Sequence, residues 1–337
     1  MTETPAIESA PNTTSTLTPD EVQAFADVAG RLHRNVASVV LGKPEVVRQA
    51  LTGLFAEGHL LIEDVPGVGK TTLARAIAAS VRGQWRRIQF TPDLLPSDVS
   101  GVTIFNQATR NFEFHPGPVF ANIVLADEIN RASPKTQSAL LEVMEEGQVT
   151  VDGRTHPVGH PFMVIATQNP VEQAGTYRLP EAQLDRFLMR SSIGYPDHAS
   201  TIRILEGADQ RAHDQQVPAQ LRADEIVEMA ALARTVYVDP TIHDYVSRLI
   251  DATRTAREVR LGVSVRGALA LIRAAMTHAA ARGRHYVVPD DVKALAEPVL
   301  AHRLILNPEA EFDGVTASNM IAQVLIETPP PSTRQAV

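Results

Sequence analysis

The run His59-Leu60-Leu61-Ile62-Glu63-Asp64-Val65-Pro66-Gly67-Val68-Gly69-Lys70-Thr71-Thr72 joins a short apolar strand to a glycine loop and then to a helix. Residues of these types in this order can hold a nucleoside triphosphate. Gly67 and Gly69 can take backbone angles closed to other residues, so the successive N–H groups of Gly67-Val68-Gly69, which follow Pro66 in the loop, can turn inward around a β-phosphate. Lys70 would place a point charge between the β- and γ-phosphates and the Thr71 hydroxyl would ligate Mg2+. The helix N-terminus carrying Thr71 and Thr72 would face the anion. Where the general pattern Gly-x-x-x-x-Gly-Lys-[Ser/Thr] has its first Gly, this chain has Asp64.

A second element suits the same phosphate site. Asn122-Ile123-Val124-Leu125-Ala126-Asp127-Glu128 reads as a buried strand ending in two carboxylates. At the strand end Asp127 can hold Mg2+ through water, and Glu128 can orient and deprotonate an attacking water.

The elements that must carry these residues follow from the pattern along the chain. Residues 1–17 are rich in Thr, Pro and Ser and predict a disordered tail; Thr18-Pro19-Asp20-Glu21 is a capping box that starts a helix running to about Val40. A turn at Val40-Leu41-Gly42-Lys43, a helix over Pro44 to Ala56, and strands over His59 to Val65 and Trp85 to Thr91 come next. The loop helix spans about Lys70 to Val81. Two hairpins are expected near 101–115 and 148–158, the second turning at Asp152-Gly153. Phe105, Phe112 and Phe114 are expected on the packed face of the first. A helix from Ser133-Pro134 to Glu146 precedes the second hairpin, and Phe162 to Thr167 is a further buried strand. Strands alternating with helices after a phosphate loop predict an α/β fold with a parallel sheet and a ligand at the strands' carboxyl ends.

After Tyr195-Pro196-Asp197 the texture turns to helices only, with apolar periods over Ile226 to Val236, Ile242 to Arg257, Val265 to Ala281, Asp290 to Leu300 and Ala317 to Ile326. The expected division is an α/β part over 18–197, an all-α lid over 198–327 and a mobile Pro-rich tail over 328–337.

Composition limits the function classes. The 337 residues are 44% hydrophobic and 21% charged, an ordinary globular balance, and hold no cysteine, which excludes disulfides, iron–sulfur clusters and thiolate zinc sites. The 11 histidines show no metal-binding spacing. A net charge of −8 disfavours nucleic acid as the main substrate, with Arg82, Arg86 and Arg87 a small candidate for a local basic patch. No apolar run is long enough for a membrane span and the N-terminus lacks the basic start of a signal peptide, so the cytoplasm is the expected compartment.

Four segments in order give the chain a family likeness. Val65-Pro66-Gly67-Val68-Gly69-Lys70-Thr71, Asp127-Glu128-Ile129-Asn130-Arg131-Ala132, Ala166-Thr167-Gln168-Asn169-Pro170 and Tyr177-Arg178-Leu179-Pro180-Glu181-Ala182-Gln183-Leu184-Asp185-Arg186-Phe187 resemble the MoxR family of AAA+ ATPases. The resemblance covers about residues 25–327. It implies an AAA+ P-loop parallel sheet sandwiched by helices with a C-terminal all-α lid, binding ATP and Mg2+. By resemblance, Asn169 is the sensor 1 residue on the γ-phosphate or attacking water and Arg186 the arginine finger reaching a neighbouring subunit's nucleotide. Arg266, in Gly262-Val263-Ser264-Val265-Arg266-Gly267, is sensor 2, closing with the lid onto the phosphates; Val40, Leu41 and Gly42 contact adenine. The hairpins resemble the helix 2 insert and the hairpin before sensor 1.

The activity so implied is that of a ring ATPase, a hexamer, that remodels or activates a client, with partners carrying a von Willebrand factor A domain or metalloenzymes in maturation as the family's examples. A metal-chelatase ATPase subunit and a nucleotide-gated binding switch with little turnover stand as alternatives.

Overall fold

The sequence alternates strands with helices, and in the computed structural model this produces a five-stranded sheet in the order β2 (Trp85–Gln89), β5 (Ile123–Asp127), β8 (Met163–Gln168), β1 (Leu60–Glu63), β9 (Met189–Ser191), every neighbouring pair parallel. The structure describes residues 17–169, 176–206 and 218–331. Residues 1–16 of the tail expected over 1–17, residues 332–337 of the tail expected over 328–337, and Pro170 lie outside the described residues. In chain order the α/β part runs α1 (Pro19–Ala37), α2 (Pro44–Phe55), β1 (Leu60–Glu63), α3 (Lys70–Ser80), β2 (Trp85–Gln89), α4 (Pro96–Ser100), β3 (Gly101–Asn106) and β4 (Asn111–Pro116). It continues with β5 (Ile123–Asp127), α5 (Pro134–Glu146), β6 (Gln148–Val151), β7 (Arg154–Pro157), β8 (Met163–Gln168), α6 (Glu181–Leu184) and β9 (Met189–Ser191), after which comes α7 (His198–Glu206).

Local chemistry sets several of these boundaries. Thr18 caps α1 through a reciprocal box with Glu21, and the Ser133 side chain accepts from the Thr136 N–H at the start of α5, which Gly147 ends in the left-handed region. Asp152 and Gly153, with φ of 49° and 75°, make the tight turn between β6 and β7.

Alternation along the central strands separates two apolar layers. Leu60, Ile62, Ile123, Leu125, Met163 and Ile165 face Leu73 and Ile77 of α3. Leu61, Val124, Ala126, Val164 and Ala166 face Leu140 and Leu141 of α5. Burial on both faces is why these strands read as continuous apolar runs. The first layer continues without a break into Ile226, Tyr245, Leu271, Val292 and Ile321 of the C-terminal helices, where α1 packs on the helix Val265–Ala281.

Three expectations need correction. Among the described residues beyond Asp197, β10 (Val259–Leu261) and β11 (Ile305–Leu306) form an antiparallel pair inside the part read as helices only. Each is too short to show a period. The same is true of β9, which the sequence did not announce. Thirdly, Phe105 and Phe112 are not a packed face of their hairpin: they are 48% and 71% exposed and meet edge to face at 5.2 Å. Only Phe114 is packed, stacked on His156 at 4.0 Å between rings and against Phe120.

One buried histidine locks the amino end of the sheet. His59 Nδ1 accepts from the Val164 N–H at 3.0 Å, and Nε2 donates to the Met144 carbonyl at 3.0 Å, so the neutral ring is satisfied at both nitrogens. Burial pushes its imidazole down to about 4 from the ordinary 6.5. The unfolded chain therefore takes up a proton near 6.5 and the folded chain only near 4, so stability is lost as pH falls through that window. Urea titrations across it are expected to show His59→Gln losing about 3 kcal/mol less than the parent. Equal losses in the two proteins would show that His59 does not carry the effect.

Candidate active site

The carboxyl ends of β1, β5 and β8 lie side by side, because β8 sits between the other two. From β1 the chain enters the glycine loop with φ of 84° at Gly67 and 101° at Gly69, values that only glycine adopts without strain. A Cβ at either would meet nothing within 4 Å, so the requirement for glycine is conformational. Gly69 leads directly into α3, and the buried Lys70 donates from Nζ to the Asp64 carbonyl at 3.0 Å. Thr71 is half-buried and Thr72 exposed on the first turn of α3.

Asp64 explains its own departure from the glycine pattern. Its Oδ2 accepts from the backbone N–H groups of Ile193 and Gly194, each at 2.6 Å, and from Ser192 Oγ at 3.1 Å, while Oδ1 accepts from the Val65 N–H at 3.0 Å. The carboxylate staples the phosphate loop to the segment that follows β9. That segment also reaches the turn Val40-Leu41-Gly42: Lys43 Nζ donates to the Tyr195 carbonyl at 2.7 Å, and a Cβ at Gly42, φ 72°, would collide with Ser200 Oγ. The phosphate loop and the Val40–Gly42 turn are thus anchored to the same short stretch.

At the end of β5, Thr167 Oγ1 donates to Asp127 Oδ1 at 2.6 Å and accepts from the Glu128 N–H at 2.8 Å. Arg87 grips the other Asp127 oxygen through Nε at 3.1 Å and Nη2 at 2.6 Å. Glu128 sits in the left-handed region, φ 56°, a conformation costing about 1–2 kcal/mol for a residue with a side chain. Its Oε2 accepts from Gln89 Nε2 at 2.8 Å and from Arg131 Nη1 at 3.1 Å. Asn169 is buried immediately after β8, whose Gln168 pairs with Glu63 of β1. Lys70, Asp127, Glu128 and Asn169 therefore meet at one end of the sheet. Hard oxygen donors at Asp127 and Thr71 suit Mg2+, which binds through one or two carboxylates together with phosphate oxygens.

Arg186 and Arg266 are elsewhere. Arg186 Nη2 lies 2.9 Å from Glu145 Oε2, and its Nη1 donates to the Leu141 carbonyl. Arg266 Nη2 lies 2.9 Å from Glu145 Oε1, and its Nε 3.9 Å from Asp185 Oδ2. Glu145 is next to Met144, the partner of His59, so both guanidiniums stand at the amino end of the sheet. The five steps from His59 to Asp64 put the phosphate loop about 17 Å away at the other end. Arg266, expected to close with the lid onto the phosphates, here contacts Glu145 at the opposite end of the sheet from its own chain's phosphate loop. The buried Arg303 fixes the stretch that carries Arg186: it reaches Asp185 Oδ1 at 2.6 Å and the Phe187 carbonyl at 2.7 Å. The junction opens as a cavity of about 390 Å3 lined by His59, Glu145, Asp185, Arg186, Arg266 and Arg303, among others.

Sequence reasoning missed Gln89, Thr167, Glu145 and Asp185, and read Arg87 as a basic surface candidate. Arg87 and Gln89 alternate onto one face of β2, a usable signal once β2 is known to pair with β5. Glu145 and Asp185 carried no local signal.

A parallel sheet with a glycine phosphate loop at one strand end and an Asp-Glu pair at the next-but-one strand end defines an ATPase of the AAA class. Residues 59–189 match the family described as the ATPase family associated with various cellular activities (AAA), and residues 251–324 match the AAA lid domain. The chain is 46% identical over 308 residues to the uncharacterized protein YeaC of Bacillus subtilis, spanning 91% of this chain and 96% of that one. It is 42% identical over 299 residues to Chaperone MoxR1 of Mycobacterium tuberculosis, spanning 86% and 79%. The crystal structure of a candidate ATPase from Cytophaga hutchinsonii superposes with a TM-score of 0.88 at 38% identity, covering 93% of this chain and 98% of that one. The chain belongs to the MoxR family of AAA+ ATPases.

Proposed function

We propose that this protein hydrolyses ATP with Mg2+ in a ring of identical subunits, a hexamer by family resemblance, and uses the cycle to remodel or activate a partner protein. The observation that carries the reading is the division of catalytic groups between the two ends of one sheet. Lys70, Asp127, Glu128 and Asn169 meet at the carboxyl end, while Arg186 and Arg266 converge on Glu145 at the amino end. Two guanidiniums so far from their own phosphate loop can serve phosphates held by a neighbouring chain. Exposed apolar side chains flank Arg266 on its helix, Val265 at 65% and Leu269 at 66%, as a surface between chains would require.

In this reading the loop that begins at Pro66 holds the ATP phosphates through the N–H groups of Gly67, Val68, Gly69, Lys70, Thr71 and Thr72, Lys70 bridges the β- and γ-phosphates, and Val40, Leu41 and Gly42 contact adenine. Thr71 and Asp127 hold Mg2+, which neutralises charge on the phosphate oxygens when bound. Glu128, fixed by the Thr167, Gln89 and Arg131 contacts, orients the attacking water and takes its proton. Asn169 hydrogen-bonds the γ-phosphate or that water. Arg186 and Arg266 of the next subunit supply positive charge where it develops.

The α/β unit is taken as 18–197 and the lid as 198–327. Because one apolar layer joins them, the lid travels with its own α/β unit and presents Arg266 to the neighbour. The name of the Mycobacterium tuberculosis relative supports a chaperone-like role; the exposed Phe105 and Phe112 at the hairpin suit contact with an unfolded or partly folded client. Partners with a von Willebrand factor A domain and metalloenzyme maturation are proposed from the family resemblance alone, and a cytoplasmic location is proposed beside them. Among the described residues no helix is long and apolar enough to cross a membrane.

Steady-state phosphate release by the purified chain tests the enzyme reading. ATP turnover that requires added Mg2+ is expected. ATP binding without turnover under assembling conditions would instead identify a nucleotide-gated switch.

A further inference from the structure

Two cationic side chains share one carboxylate at the amino end of the sheet. Glu145 offers Oε2 to Arg186 and Oε1 to Arg266, each at 2.9 Å, from the last turn of α5. The arginines are far apart in the chain, one just past α6 and the other at the start of the helix Val265–Ala281, so no local geometry holds them in register. The surroundings push them apart. Arg273 and Arg303 line the same cavity; of its three carboxylates, Glu57 pairs with Arg234 and Asp185 is engaged by Arg303 at 2.6 Å, which leaves Glu145 to the two arginines.

We infer that Glu145 is a positioning residue that sets the spacing and direction of Arg186 and Arg266 before the neighbouring subunit's nucleotide meets them. The inference rests on the reading of both arginines as groups acting between chains. A guanidinium has five N–H donors. Arg186 spends donors on Glu145 and the Leu141 carbonyl, and Arg266 on Glu145 with a longer approach to Asp185. Each keeps donors for a phosphate while one edge stays anchored. Preorganising charge in this way matters most where electrostatic stabilisation supplies the catalysis, because an arginine that must first be gathered stabilises the transition state less.

Glu145→Gln preserves the shape and removes the charge. Its single side-chain carbonyl can accept from one guanidinium, while its NH2 group faces the other. Because ATP is held by the phosphate loop at the opposite end of the sheet, the variant is expected to keep KM near the parent value and to lose kcat about ten- to a hundredfold. Glu145→Asp, which retains the charge on a shorter arm, is expected to recover part of that loss. The melting temperature serves as the fold control and should stay at the parent value.

Arg186→Ala and Arg266→Ala are measured beside these variants. If both arginine variants are slow and Glu145→Gln turns over like the parent, the positioning role is wrong while the arginine reading stands. A rise in kcat would overturn it as well, since Glu145 would then be restraining the arginines. A lowered melting temperature with unchanged kcat would reduce Glu145 to a structural ion pair. Parent-like turnover in both arginine variants would remove the reading beneath the inference, a result distinguishable from all the others.

Discussion

Arg186→Ala is expected to bind ATP almost as the parent does and to hydrolyse it about 10³- to 10⁵-fold more slowly, the range set by arginine fingers in other phosphoryl-transfer enzymes. Ground-state affinity depends on the loop from Pro66 to Thr72, on the far side of the sheet from Arg186. The arginine contributes where charge builds on the transferring phosphoryl group, so its loss falls on kcat. The fold should survive, because the main anchor of the segment is Arg303, through Asp185 and the Phe187 carbonyl. Nucleotide binding by fluorescence and turnover by phosphate release, taken on one preparation, separate the two effects. Parent-like turnover in the variant would remove the finger assignment and with it the main reason to expect a ring.

Glu128→Gln and Lys70→Ala should fail differently. Glu128→Gln is expected to retain ATP and lose about 10²- to 10⁴-fold in turnover, the usual worth of a positioned general base. Its amide can still meet Gln89 and Arg131 but cannot take a proton from water. The left-handed backbone at Glu128 and the Thr167 contact to its N–H do not depend on the carboxylate, so the site should keep its shape. Lys70→Ala is expected to lose ATP binding itself, since the buried ammonium is the loop's own charge on the phosphates. Normal hydrolysis by Glu128→Gln would exclude it as the base. A Glu128→Gln protein held in ATP should also retain its client, which makes it the bait for identifying the partner.

The sequence carried the parts of this site whose causes are local. Gly67 and Gly69 announced a loop with positive φ, and the apolar run before Asp127-Glu128 announced a strand buried on both faces; both are present. Thr18 with Glu21, Ser133 and Asp152-Gly153 marked real boundaries for the same reason. What could not be read are relations between distant segments. Gln89 meets Glu128 only because β2 pairs with β5, and Glu145 meets Arg266 across 121 positions. The resemblance singled out Arg186 and Arg266 as residues, but motif order says nothing about which end of the sheet an arginine reaches, and both lie on Glu145 at the amino end. Asp64 looked like a missing glycine until its carboxylate was seen to bind the backbone of Ile193 and Gly194. The short strands β9, β10 and β11 were too brief for alternation to register.

The central claim is that Arg266, like Arg186, serves the neighbour's nucleotide. Mixing Arg266→Ala chains with Lys70→Ala chains tests it directly, with a parent and Lys70→Ala series run alongside to establish that subunits exchange. If Arg266 acts between chains, an interface pairing the intact loop of one variant with the intact arginine of the other is complete. Phosphate release should then rise to a maximum at intermediate mixing ratios from two nearly inactive end points. If Arg266 instead served its own chain, every mixed ring would lack a complete site, and turnover that stays at the end-point level across the whole series while exchange proceeds would contradict the account.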